Sequence, residues 1–233
     1  MKLSFLLDED YLIYHTFCNP ERKGSKEIVK FQNFAWRKSP ECYSLLSGKE
    51  GKVPPDEIGS TVKELPLFIK TLKSSIAYKE ILVETKDYLQ FCKVQWAKNL
   101  QASSKAMKEL TGLSFNKRFR VFVTHPSLHN GMNWGNDTIS WGHPEEWPNY
   151  TTVYLWHEIL HSCLVRSDES HAIIQLLTDN ELRIRLNGGR YPPFKGHEGL
   201  FPLMRKISPS WKQYLKSSDR NILEFQSSIS SKL

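Results

Sequence analysis

Apolar residues recur at helical spacing through the middle of the chain. From Val62 to Leu110 there is almost no glycine and a single proline, Pro66, while Ile76, Ile81, Leu82, Tyr88, Leu89, Cys92, Trp96, Leu100 and Met107 keep to one face. A 3.6-residue period argues for amphipathic helix. The segment reads as two helices, the second long and stopped by Gly112 in "ELTGL". The period then shortens. In "RFRVFVTHP", Arg118 to Pro126, Phe119, Val121 and Val123 alternate with Phe122 and Thr124, which reads as a strand. A Gly- and Asn-rich loop, "SLHNGMNWGN", separates it from a second short strand, "DTISWG", taken as a sheet edge. Helical spacing resumes at Thr151. Residues 1 to 58 are broken up by "NPERKGS", "KSPE" and "SGKEGKVPPDEIGS" and read as an irregular N-terminal layer, followed by one compact unit over 59–233. The fold class expected is α+β.

Composition narrows the class without changing this picture. The chain has 233 residues, enough for a core without covalent staples, and 39% hydrophobic with 24% charged residues is an ordinary globular mixture. No run approaches the roughly 18 apolar residues of a membrane span, and Asp8, Glu9 and Asp10 come too early for a secretory leader. Four scattered cysteines, Cys18, Cys42, Cys92 and Cys163, suggest free thiols in a reducing compartment. The expected address is the cytoplasm, with Ser231-Lys232-Leu233 matching a peroxisomal signal if the source is eukaryotic. The net charge of +7 is spread in short pieces such as "NKRFR", so a solvated positive surface accounts for it better than a nucleic-acid face.

Chemistry enters at "YLWHEILHSC", Tyr154 to Cys163. On a helical wheel Leu155, Trp156, Ile159, Leu160, Cys163 and Leu164 fill a broad apolar arc, with His157 and His161 one turn apart at its edge. Two imidazoles so placed can share a zinc ion, and Glu158 beside them suits a base rather than a ligand. The following helix, "HAIIQLLTDNELRIRLNGG", is capped by Ser167 or Asp168 and ends at Gly188-Gly189. On its wheel Glu181 falls inside the apolar face, where a carboxylate is costly without a cation. Glu181 is therefore the favoured third ligand of a single zinc. His171, ten residues after His161, and Asp168 are the other candidates.

"HEILH" followed 20 residues later by "NE" resembles the gluzincin, thermolysin-like branch of the zinc metallopeptidases. The resemblance spans about residues 76 to 190. It implies a zincin-like domain, in which a long helix, a small sheet with an edge strand, an active-site helix and a ligand-bearing helix follow in order. It also implies that His157, His161 and Glu181 are zinc ligands and that Glu158 activates the water. One departure is that Arg185 stands where the pattern has an Asp that orients the first histidine; Asp179, Asp168 or a backbone carbonyl are the replacements considered. His197 in "FKGHEGL", Tyr191 in "GGRYPPF" and Arg185 are candidates for oxyanion or substrate contacts, beside their reading as ordinary surface residues. The expected function is a zinc metallopeptidase acting on a peptide or protein. The alternatives are a zinc hydrolase of a non-peptide amide or ester, and an idle zincin-like binding protein with a basic surface.

Overall fold

The computed structural model describes residues 1–17, 25–47, 53–59, 65–189 and 196–231. The chain is α+β. In order it runs β1 (Lys2–Leu6), α1 (Glu9–Phe17), α2 (Lys26–Lys38), α3 (Pro40–Ser47), α4 (Pro66–Ser74), α5 (Ile76–Thr111), β2 (Arg118–Val123), β3 (Asn130–Gly135), β4 (Thr138–Gly142) and α6 (Tyr150–Leu160). Then follow α7 (Asp168–Gln175), a π-helical segment (Leu176–Leu182), α8 (Arg183–Asn187), α9 (Phe201–Lys216) and α10 (Ile222–Ser230). Among the described residues no helix is long and apolar enough to cross a membrane. The chain divides into two compact units, one holding Leu3–Lys93 with Phe119–Pro144 and the other Val94–Arg118 with Glu145–Leu233 and the first two residues. Neither is contiguous, and residues 58 and 59 fall within the same unit.

The first unit contradicts the expectation of an irregular layer. Its N-terminal residues form one strand and three helices, because the turn-forming clusters lie between apolar stretches rather than through them. Tyr11, Leu12, Ile13, Tyr14 and Phe17 of α1 are all buried, as for a helix enclosed on every side. Ile28, Phe31 and Ala35 supply the buried stripe of α2, and Phe68, Ile69, Leu72, Tyr78, Ile81 and Phe122 complete the same core.

The sheet has strand order β1-β2-β4-β3. Strand β4, the "DTISWG" segment expected at an edge, lies inside, parallel to β2 (Val121 opposite Ile139) and antiparallel to β3 (Met132 opposite Ser140). The exposed edge is β3, which the Gly- and Asn-rich composition disguised as loop. Asn136 and Asp137 both have positive φ, 46° and 53°, and make the two-residue connection whose twist matches a hairpin. Their Asn-Asp sequence was the available signal.

In the second unit α6 is held from several sides. The Glu145 carboxylate accepts from the backbone N–H of Tyr150 (3.0 Å) and Thr151 (2.8 Å), satisfying two of the helix's orphan donors. The Asn99 amide donates to Asn149 (2.8 Å) and to the Thr152 hydroxyl (3.0 Å). Trp156 packs against Trp96 and Phe115, with ring centroids 5.8 and 4.9 Å away. Gly112, at φ +72°, ends α5 as expected; a Cβ there would lie 1.9 Å from the Arg220 carbonyl oxygen.

Trp156 is fully buried, so Trp156→Ala is expected to cost about 3–5 kcal/mol in chemical denaturation. A loss below about 1 kcal/mol would show that α6 does not depend on this packing.

Candidate metal centre

Three histidines converge in the second unit. His157 and His161 lie one turn apart at the end of α6, and His171 stands in the first turns of α7, whose start is set by Ser167 accepting the Ser170 N–H (3.2 Å). One nitrogen from each of the three lies within 4.8 Å of the others. The rings pack edge to face, with centroids 5.0 Å (157 to 161), 5.1 Å (157 to 171) and 5.0 Å (161 to 171) apart.

The protonation pattern suits ligands. The Thr178 hydroxyl donates its single proton to the Ile174 carbonyl (2.8 Å) or to Asp179 (3.3 Å), so toward His157 Nδ1, at 3.4 Å, it can only accept. His157 therefore carries hydrogen on Nδ1 and directs the Nε2 lone pair at His171 Nε2, 3.2 Å away. Two nitrogens on one tetrahedral zinc at 2.0–2.1 Å are about 3.3 Å apart, so this separation fits a shared ion. Burial, reinforced by the neighbouring imidazoles, holds His157 far below its usual value. Burial, with His171, Arg166 and His197, brings His161 down to about 4, and burial likewise lowers His171. All three are neutral at pH 7, the ligating form.

Around this group the π-helical segment sets the second layer. Its i→i+5 winding turns less per residue than an α-helix, and such segments recur at functional sites. It brings Asp179, fully buried, to 3.8 Å from His157 Nδ1. Burial raises the Asp179 carboxyl well above its usual range, and its Oδ2 has no hydrogen-bond partner. Asp179 is thus the carboxylate behind the first histidine, one of the replacements considered for the residue missing at Arg185.

Glu181 does not join the histidines. It is half-buried, its carboxyl raised by burial and lowered by Arg185 and Arg220. The wheel that placed it on the apolar face assumed α geometry, and past Leu176 the looser winding leaves each residue behind its assumed angle. Asp168 is exposed at the start of α7. The third imidazole is His171, which the sequence offers as an alternative to Glu181; the helix start at Ser167 is the signal that turns it toward His161. Arg185 pairs with Glu109 (3.0 Å) on an exposed surface. His197 is exposed beside His171, ring centroids 5.0 Å apart, following Gly196, whose lack of a Cβ allows close approach to Gln175 and Asp179. Tyr191, Lys232 and Leu233 lie outside the described residues. Glu158, between His157 and His161 in sequence, is buried. Trp141 is fully buried in the core.

Between pH 6.5 and about 4 the unfolded chain protonates His161 while the folded one does not, so His161 contributes stability that is lost as pH falls through that window. In metal-free protein, His161→Asn is expected to flatten the decline in Tm between these pH values relative to wild type; parallel curves would contradict the assignment.

No family model, curated protein or solved structure matches the chain.

Proposed function

We propose that the protein is a zinc-dependent peptidase in which His157, His161 and His171 hold the metal and Glu158 is the general base. The observation that carries this reading is the convergence of three neutral imidazoles, two from the end of the helix that also presents Glu158 and one from α7. The donor set is three imidazoles rather than the two histidines and glutamate of the gluzincin resemblance. Zinc bound there would supply a water acidified toward a pKa of about 7 and polarise a substrate carbonyl.

Glu158 takes the proton from the attacking water and returns it to the departing amine nitrogen as the C–N bond breaks. Its burial removes competing solvent, which strengthens its interaction with developing charge. Thr178 keeps His157 in the tautomer that turns Nε2 toward His171, with the Asp179 carboxyl 3.8 Å from the same Nδ1, and both act as positioning residues. His197, exposed beside His171, is the nearest imidazole outside the ligand set and donates to the developing oxyanion.

The test is zinc content together with cleavage of a fluorogenic peptide library. Glu158→Gln is expected to retain stoichiometric zinc and lose about 10²- to 10⁴-fold in kcat/KM. Stoichiometric zinc in the wild type with no cleavage of any library member would overturn the peptidase reading. His171→Ala should lose the zinc held by His157 and His161, and Glu181→Ala should keep it; the reverse pair of results would restore the two-histidine, one-glutamate set. Asp179→Asn is expected to weaken zinc binding about 10- to 100-fold in competition with a chelator, with an unchanged affinity assigning Asp179 to packing alone.

A further inference from the structure

A second pair of histidines is brought together by a different device, and it lies wholly in the first unit. In the β3–β4 hairpin Asn130 stands opposite Gly142, so continuing the register by one residue sets His129 opposite His143 at the hairpin's open end. Residues directly opposite across antiparallel strands bring their side chains side by side. His129 Nδ1 lies 3.1 Å from His143 Nε2, and the rings meet edge to face with centroids 4.4 Å apart.

Both residues are fixed before any ligand arrives. The Tyr88 hydroxyl donates to the His143 carbonyl (2.7 Å) and accepts from its N–H (3.2 Å). Trp141 stacks on the His143 ring, centroids 6.1 Å apart at 24°. The His143 Nδ1 is 3.0 Å from the Pro144 carbonyl oxygen, which can only accept. His143 thus carries its hydrogen on Nδ1 and turns the Nε2 lone pair toward His129. A ring N–H given to a backbone carbonyl is the arrangement that metal-ligating histidines adopt. His129 occupies the left-handed region at φ 50°, ψ 47°, closing a short 3₁₀ turn with its N–H on the Pro126 carbonyl (3.2 Å). A non-glycine residue there is held by its surroundings.

The geometry points to a second metal site formed by His129 Nδ1 and His143 Nε2, selective for divalent ions that favour imidazole: Cu²⁺ first, then Ni²⁺ and Zn²⁺. The separation of 3.1 Å is close to the roughly 3.3 Å between two nitrogens on one tetrahedral ion. His129 is exposed, so water fills the remaining coordination positions and the ion exchanges freely. Bound there, the ion clips the two strands together where they diverge and stabilises the hairpin by mass action.

The test is calorimetric titration of metal-free, full-length protein with Cu²⁺ and with Zn²⁺, alongside thermal melts. Wild type is expected to bind two ions. His143→Ala and His129→Asn, the latter chosen because asparagine tolerates positive φ, should each bind one ion and weaken Cu²⁺ at the lost site at least tenfold. The double variant His157→Ala/His161→Ala should keep the hairpin site, show nitrogen coupling in its Cu²⁺ electron paramagnetic resonance spectrum, and melt at higher temperature with Cu²⁺ than without. A single ion in wild type, unaffected by His143→Ala and His129→Asn but abolished by the double variant, would overturn this site while leaving the peptidase reading intact. A single ion abolished by His143→Ala and retained in the double variant would do the opposite.

Discussion

The candidate metal centre depends on keeping the His157 imidazole buried, neutral and in one tautomer. Removing an ionisable ring from water disfavours its charged form, and that is the largest cause of its depressed basicity, ahead of the neighbouring imidazoles. The price of that burial is met by the hydrophobic side of α6: Val153, Leu155, Trp156, Ile159 and Leu160 are fully enclosed and fix the helix whose other side carries the chemistry. With the helix fixed, the Thr178 hydroxyl needs only its ordinary bond to the Ile174 carbonyl to decide which ring nitrogen of His157 holds the hydrogen. A chain of routine interactions thereby aims a lone pair.

The layer behind the histidines contains buried polar atoms that are not satisfied. Both amide atoms of Gln175 and Oδ2 of Asp179 are buried without hydrogen-bond partners. Each such group costs about 1–3 kcal/mol in a folded protein. They cluster at the entry to the π-helical segment, where the regular helical ladder is already relaxed. Local departures from the rules of stability are expected at a functional site.

The two histidine constellations arise from the two basic periodicities of the backbone. A spacing of four on α6 stacks His157 over His161, whereas a hairpin register places His129 against His143 across 14 residues of chain. The first is visible in a single line of sequence. The second becomes visible only when the pairing partner of each strand is known.

Much of the outline was legible from pattern alone, because long amphipathic runs leave little choice. The long helix α5 and its stop at Gly112, strand β2, and the face shared by His157 and His161 all follow from spacing, and so does the position of Glu158 between them. Strand β3 was hidden by glycine and asparagine, and with it the true edge of the sheet. The helices of the N-terminal residues were obscured by the turn signals between them. The third imidazole required tertiary structure, since a wheel assumes one angle per residue and the π-helical winding changes it. That change of winding turns Glu181 away among arginines and brings Asp179 behind His157, while the start of α7 presents His171. Local sequence determines which side chains share a face of one element. Which element each face then meets is decided by packing between residues distant in the chain.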